Sequence, residues 1–469
     1  MEILKEEYNR MKSNFENMIP NVFVLTIDSL RGDQIVGNSK TSLTPNIDEL
    51  ISNGTYFTQA ISTADGTGIS LGSLFTGGYP FNTGITHFKF NPEATNFLQI
   101  FQNNGYHTCV TIPDVSFLQK LTQDVIDQDP YVYDKRQSWL QLGGGIGQQI
   151  INKLKQMPKS PWLYYIHLQD LHQPFFLPTE YDSDKFGDTR YARMISYIDT
   201  WIGKFLEVID LSKTIVVISA DHGEPIETDE ALTSPKKTPR ILIKGKETFP
   251  SLEPLGVKIF LKYKHMKKKY KINKLKKNLT EKQFVALLGR GQNHLYDEHI
   301  KIPLILAGYK IPSSKTISTQ VRQIDIFPSI ADISEINIQN HDVDGTSVVP
   351  LLNNESFDEI PAYIETTPAQ NPTDTKINLT LIGKSIGIRT SYYKFWRSRL
   401  DPKENVYLFD LKSDPKEEKN IANEKPDVVN KMESMLQNIL KNSSKVNEKQ
   451  LVKDDDELIE EELKKLGYI

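Results

Sequence analysis

The stretch VFVLTIDSLRGD, residues 22–33, starts as an apolar, β-branched run and breaks abruptly into acidic, polar and glycine residues. Six residues with no polar alternation read as a strand buried on both faces, which is how strands inside a parallel sheet look. The same grammar returns in PWLYYIHLQD (161–170), KTIVVISADHGE (213–224) and IKIPLILAG (300–308). Helical patterns lie between these runs: TPNIDELISNG, with Thr44 as N-cap and Pro45 at N1, NPEATNFLQIFQNNG, ending at Gly105, and ARMISYIDTWIGKFLEVI. Strands alternating with helices predict an α/β fold with a central, mostly parallel sheet flanked by helices. Ligands of such sheets bind beyond the C-terminal strand ends, and Asp28, the span from His167 to His172, Asp221 and His222 all fall at or just past those ends.

The chain has 469 residues, 38% of them hydrophobic and 25% charged, enough for one large globular domain with additions or for two to three smaller ones. A net charge of -4 argues against bulk attraction to nucleic acid. The single cysteine, Cys109, excludes an internal disulfide and any multi-cysteine metal centre, and it fits a reducing compartment. The opening MEILKEEYNRMKSNFENMIP is acidic where a secretory signal is basic, and no later run approaches the roughly 18–20 apolar residues of a membrane span. The expectation is a cytoplasmic protein. One local patch stands apart: KIFLKYKHMKKKYKINKLKK, Lys258 to Lys277, holds many lysines and no acid. It reads either as a solvated face or as a contact for an anionic polymer or a membrane surface, with nucleic acid ranked last for want of aromatic spacing and a binding motif.

The chemistry-bearing residues follow the strands. Asp28 supplies a hard oxygen ligand after one strand, and Asp221 with His222 add an oxygen and an imidazole after another. A carboxylate and imidazole set suits zinc or manganese better than an all-oxygen calcium cage. A lone Asp after a strand is usually a turn or a cap, a reading weakened here because three ligand groups occupy equivalent positions. In STADGTGISLGSLFTGGYP, residues 62–80, Thr67 is the candidate nucleophile, since metal coordination activates an otherwise weak hydroxyl. Thr63, Ser70 or Thr67 itself could instead cap the following helix. Further on, GIRTSYYKFWRSRL and NVYLFDLKSD predict strands of a small C-terminal α+β subdomain, followed by an amphipathic helix near Pro426 to Leu440 and a charged tail.

The blocks NVFVLTIDSLRGD, TPNIDELISNGTYFTQA, SLFTGGYPFNTGIT, YYIHLQDLHQPF, ISADHGE, NHLYDEHIKIPLIL, DGTSVVPLL, GIRTSYYKFW and LFDLKSDPKEEKNIA, in this order, resemble the signature blocks of the sulfatase family within the alkaline phosphatase superfamily. The resemblance implies that superfamily's fold and a set of roles. Thr67 stands six residues before Ser73 of the SLFTG block, at the nucleophile's place. Asp28, Asp221 and His222 match metal-ligand positions, with Thr67 joining them at the metal. His172 matches a histidine near the substrate's ester group, and His294 falls where the family places a substrate-contacting or leaving-group-protonating residue.

Three departures separate the chain from sulfatases of the usual kind. The C/S-x-P-x-R sequence that yields formylglycine is here Thr67, Gly68, Ile69, Ser70, Leu71, so no formylglycine forms. Ser29 replaces the second aspartate of a DD pair, and the lysine and histidine expected after GYHT are absent from VTIPDVSF. A Thr nucleophile with Asp and His ligands is similar to the lipoteichoic acid synthases, phosphoethanolamine transferases and phosphodiesterases of the same superfamily. The resemblance therefore implies a hydrolase or phosphotransferase acting on sulfate or phosphate esters, phosphate favoured. One divalent metal is implied, manganese or zinc favoured and calcium or magnesium the other candidates. The substrate is an anionic ester, glycan- or lipid-linked. Rival readings are a direct sulfuric ester hydrolase and a degenerate sulfatase fold that binds an anionic glycan or lipid. The expected layout is a catalytic domain over residues 20–355, carrying a Lys-rich insertion at 225–290, a C-terminal subdomain at 356–445 and a charged tail at 446–469.

Overall fold

A computed structural model describes residues 18–86, 89–131, 141–158, 160–172, 176–225, 280, 282–283, 293–367, 384–441 and 452–453. The lysine-rich run from Lys258 to Lys277 and nearly all of the charged tail lie outside these residues. The strands are β1 (Asn21–Ile27), β2 (Gly54–Ile61), β3 (Lys89–Phe90), β4 (His107–Pro113), β5 (Asp127–Tyr131), β6 (Trp162–Leu168), β7 (Thr214–Ser219), β8 (Lys301–Gly308), β9 (Lys315–Ile317) and β10 (Val321–Arg322). The C-terminal part adds β11 (Ala362–Glu365), β12 (Ser385–Arg389), β13 (Tyr393–Ser398), β14 (Tyr407–Asp410) and β15 (Val452–Lys453).

Nine strands form the main sheet in the order β10-β2-β8-β7-β1-β6-β4-β5, with β9 also on β2. The apolar runs fill its centre: every residue of β1, β6 and β7 is buried. Pairing is parallel except at β8, which runs antiparallel to both β2 and β7. The run at 300–308 looks like the parallel strands because burial on two faces sets an apolar pattern, whereas direction is set by the connections. β2 has a mixed pattern, GTYFTQAI, with two half-buried residues toward its end.

Helices cover the sheet. α1 (Pro45–Ser52) starts after Thr44, as the sequence predicts, yet the Thr44 side chain does not cap it. The buried Asp199 of α5 (Arg190–Leu206, below) does so from across the layer, accepting from the Asn46 amide at 3.2 Å and the Ile47 amide at 2.7 Å. α2 (Thr67–Thr76) is capped by no side chain at all, because its N-cap is Gly66. α3 (Phe97–Asn103) begins later than the sequence pattern suggests, at Asn96, whose side chain accepts from the Leu98 amide. α4 (Ile146–Lys155), α5 (Arg190–Leu206) and α6 (Ile326–Ile333) add to this cover.

The C-terminal strands form an antiparallel sheet, β11-β12-β13-β14, backed by α7 (Pro426–Lys441) through Met432 and Leu436. The two sheets share an apolar core in which Ile61 and Ile300 meet Ile364, Trp396 and Phe409. No described helix is long and apolar enough to cross a membrane.

Candidate functional site

Three adjacent central strands, β6, β1 and β7, deliver their side chains to one place. Register aligns Thr26 of β1 with His167 and with Ser219, so Asp28 emerges two residues past the first pair and Asp221 two residues past the second. The turn is sharp: Ser29 adopts a left-handed φ of 66°, and its hydroxyl donates to Asp28 Oδ1 at 2.6 Å. Its amide reaches Asp221 Oδ1 at 3.1 Å, tying the two carboxylates together. The Asp221 loop is held from behind by Gln323, whose side-chain amide donates to the Ala220 and Asp221 carbonyls at 3.0 and 2.9 Å. Ser62 Oγ donates to the same Asp221 carbonyl at 2.6 Å. Gly223 passes so close to Glu298 that an added Cβ would lie 2.1 Å from its carbonyl oxygen, which excludes any other residue there.

Thr67 enters from α2. It is the first residue of that helix, half-buried, with Oγ1 3.2 Å from His222 Nε2. His222 Nδ1 lies 2.7 Å from the Gly223 carbonyl. A carbonyl only accepts, so Nδ1 carries the proton and Nε2 presents a lone pair, the form of the ring that ligates. That lone pair faces Asp221 Oδ2 at 3.3 Å and Asp28 Oδ1 at 3.9 Å. His167 closes the far side, with Nε2 3.6 Å from Asp28 Oδ2.

The two aspartates and two histidines are wholly buried, yet among the described residues Asp28 Oδ2, Asp221 Oδ2 and His167 Nε2 have no hydrogen-bond partner. Orphaned buried acceptors are costly unless something positive satisfies them. One ligating atom from each of Asp28, His167 and Asp221 lies within 4.8 Å of the others. Metal–ligand bonds of about 2.0–2.2 Å place two ligands of one ion at most roughly 4.4 Å apart, so a small adjustment closes the set. The electrostatics agree. Burial pushes Asp221 upward first and the neighbouring Asp28 charge adds to it, bringing Asp221 to about 7. Burial also acts upward on Asp28, but His172 above all, then His167 and His222, outweigh it and hold Asp28 well below the usual carboxylate range. Two carboxylates and two imidazoles therefore fit one divalent ion.

Of the residues predicted from sequence, Asp28, Thr67, Asp221 and His222 are brought together, and His172 is buried near enough for its charge to act on Asp28. His294 lies among aromatic rings, 5.6 Å from Tyr296 and 5.4 Å from Tyr407 of β14 between centroids. His167 falls in the span that the sequence places at the strand ends, but it is not among the residues that the sequence marks as ligands, since it sits inside the apolar run of β6, one residue before its end. A lone histidine in an otherwise apolar strand was the available signal. Gln323 and Ser62 carry no local motif, since their role is to bind backbone far away in sequence. A second group, His107, Cys109 and Asp127, also gathers ligand atoms, but Lys153 already compensates Asp127 at 2.6 Å and Asp129 at 3.0 Å.

His167 gives a testable consequence. His167→Ala is expected to weaken binding of manganese or zinc by about 10–100-fold, the usual cost of removing a ligand or its close support. Titration of the metal-stripped protein followed by calorimetry reads this directly, and an unchanged affinity would exclude His167 from the ion's surroundings.

The comparisons with known proteins agree with this arrangement. The family model described as Sulfatase matches residues 20–336, and one described as N-sulphoglucosamine sulphohydrolase, C-terminal, matches residues 291–445. Arylsulfatase K of Xenopus laevis is 27% identical over 146 residues, which is 31% of this chain and 27% of that protein. Arylsulfatase K of Gallus gallus is 27% identical over 151 residues, again 31% of this chain and 27% of the relative. The alignment thus spans 27% of the length of these relatives. Among solved structures, the phosphonate monoester hydrolase of Agrobacterium radiobacter superposes with a TM-score of 0.63 at 15% identity, covering 93% of this chain and 100% of that one. Ps i-CgsB in complex with k-i-k-neocarrahexaose gives 0.63 at 17% identity, covering 90% and 93%. These structural likenesses carry the fold, and the first family match covers well over half of the sequence. With an Asp and His cluster at the strand ends and that match running through it, the chain belongs to the sulfatase family.

Proposed function

We propose that the protein is a metal-dependent hydrolase or transferase of anionic esters, with Thr67 as nucleophile and phosphate esters preferred over sulfate esters. The observation that carries the reading is the Thr67 hydroxyl at 3.2 Å from His222 Nε2, beside the orphaned oxygens of Asp28 and Asp221. Asp28, Asp221, His222 and His167 would hold the ion together with Thr67 Oγ1. When bound, the ion lowers the hydroxyl's pKa and offsets negative charge on the ester's oxygens.

Thr67 Oγ1, its proton released to solvent, forms a bond to phosphorus while the ester bond to the leaving oxygen breaks. Its place at the start of α2 puts the positive end of that helix behind the developing charge, and Gly66 leaves the first-turn amides uncapped by any side chain. His172 orients the ester, and His294 gives the leaving oxygen its proton. Water then completes hydrolysis, or an acceptor hydroxyl completes transfer, and either one restores Thr67. The absence of cysteine or serine at position 67 removes the route to formylglycine, which supports the preference for phosphorus. The arylsulfatase K relatives favour the sulfate reading, and the phosphonate monoester hydrolase likeness keeps phosphorus chemistry within the fold.

The deciding experiment assays full-length protein, loaded with manganese or zinc or stripped by chelator, on an aryl phosphate, an aryl phosphodiester and an aryl sulfate. Turnover that needs metal and favours a phosphorus ester at least tenfold, about 1.4 kcal/mol in barrier, is the expected result. A sulfate preference overturns the phosphate reading. No metal-dependent turnover on any ester overturns the enzyme reading and favours a binding protein on this fold.

A further inference from the structure

A second set of ligand atoms gathers at the opposite end of the main sheet from the candidate metal site. His107 opens β4 and Cys109 follows two residues later, so strand alternation puts both side chains on one face. Asp127, the first residue of β5, is the parallel partner of Cys109. Lys153 of α4 and, just past that helix, Met157 lie over the same face: Lys153 binds Asp127 at 2.6 Å, and the Cys109 thiol donates to the Met157 sulfur at 3.7 Å. Register fixes the separation from the first site. His107 pairs with Trp162 at the start of β6, whereas His167 comes five residues later, roughly 17 Å along the strand.

A ring nitrogen of His107, the Cys109 sulfur and an Asp127 oxygen lie within 4.8 Å of one another. Asp127 has its charge met by Lys153, which also reaches Asp129 at 3.0 Å. It is better placed to orient His107, whose Nε2 stands 3.8 Å from it, than to hold an ion itself. The donors that remain are an imidazole, a thiol and a thioether. Two sulfurs bound to one ion at about 2.3 Å each stand roughly 3.8–4.0 Å apart in tetrahedral or trigonal geometry. The pair here, at 3.7 Å, needs almost no movement to share an ion, which would take the place of the thiol hydrogen between them.

Thiolate and thioether together select soft ions. Charge narrows the choice, because Cys109 is wholly buried and as a thiolate cancels one positive charge. A monovalent ion leaves the site neutral, whereas zinc would leave a buried unit of charge, Asp127 being already balanced by Lys153. Entry is open from one side, where the His107 and Asp127 side chains are 32% and 36% exposed.

We propose that His107, Cys109 and Met157 bind one soft monovalent metal ion of the copper(I) class, the Cys109 proton passing to solvent as the ion enters. The proposal goes beyond the ester chemistry and rests neither on Thr67 nor on the Asp28, His167 and Asp221 cluster. Bound there, the ion ties β4 to the chain leaving α4, and it stabilises the fold by mass action without entering the ester site.

The test titrates full-length protein with copper(I), without oxygen, against the chelator bicinchoninate, whose colour reads the copper it retains. Manganese in excess keeps the Asp28 cluster closed to copper. Wild type is compared with Cys109→Ala, Met157→Leu and His107→Gln. Expected are one equivalent of copper(I) taken from the chelator by wild type and none by Cys109→Ala. Met157→Leu and His107→Gln should each hold it at least tenfold more weakly, and X-ray absorption of the wild-type complex should show two sulfur ligands. If Cys109→Ala melts early, Met157→Leu, nearly equal in volume and apolar, carries the comparison. The proposal is overturned if wild type takes no copper(I) from the chelator, if Cys109→Ala takes it too, or if Met157→Leu and His107→Gln bind as wild type does, which is the behaviour of an ordinary thiol. Binding is read without turnover, so failure of the ester reading leaves this result separately legible.

Discussion

Thr67→Ala is expected to lower metal-dependent ester turnover by at least roughly 10⁴-fold, the scale seen when a nucleophile is removed while the remaining site stays intact. The fold has no reason to suffer. Thr67 is at N1 of α2, where alanine is a good helix former, and the N-cap position is held by Gly66. The neighbouring hydroxyl that does bind the helix start is Ser70, donating to the Gly66 carbonyl at 2.5 Å, and it remains. Asp28, Asp221, His222 and His167 also remain, so one equivalent of metal should still bind, with reduced affinity. Thr67→Ser keeps an attacking oxygen and should retain turnover within about tenfold of wild type, or 1.4 kcal/mol in barrier. Initial rates with saturating metal, paired with metal content, separate the outcomes. An alanine variant with more than a tenth of wild-type activity would mean that water attacks directly and that Thr67 serves only as a neighbour of His222.

The physical origin of the legible parts of this molecule explains the illegible ones. β1, β6 and β7 could be read because burial on both faces leaves an unbroken apolar run, and Asp28 and Asp221 could be read because each interrupts such a run at the end where ligands collect. The direction of β8 could not, since an apolar run has no polarity. Nor could the capping of α1 by Asp199 from a position 152 residues distant from Ile47. His167 was legible in part: it falls at the strand end where ligands collect, but only the register against Thr26 of β1 shows it facing the carboxylates. Thr67 needed more than local pattern, because three hydroxyls in that stretch had equal claim to a capping role. The helix boundary at Gly66 separates them, with Ser70 turned to backbone and Thr67 turned to His222.

Asp297→Ala is expected to cost about 3–5 kcal/mol of stability, because it strips a carboxylate from cations that have little access to water. Arg389 is 2% exposed and Lys394 is wholly buried, and both bind Asp297 directly. Lys394 would still have Glu417, but Arg389 would be left with the neutral oxygens of Gln320 at 2.7 Å and Gln59 at 3.2 Å. The Asp297 amide, which the change keeps, donates to Glu417 at 2.7 Å, but the lost bonds to Arg389 and Lys394 loosen the junction between the segment before β8 and the C-terminal sheet. That segment reaches the candidate metal site within two residues: Glu298 stands 3.8 Å from Arg31, and the His299 carbonyl accepts from the Gly223 amide at 2.7 Å, next to His222. Loss of Asp297 should therefore appear twice, as a lower denaturation midpoint at fixed metal and as faster hydrogen exchange at the Gly223 amide. A midpoint that fell without faster exchange would separate the C-terminal sheet from the site energetically. A loss below about 1 kcal/mol, the range of exposed ion pairs, would mean that water replaces the carboxylate and that the junction rests on its apolar core of Ile61, Ile300, Trp396 and Phe409.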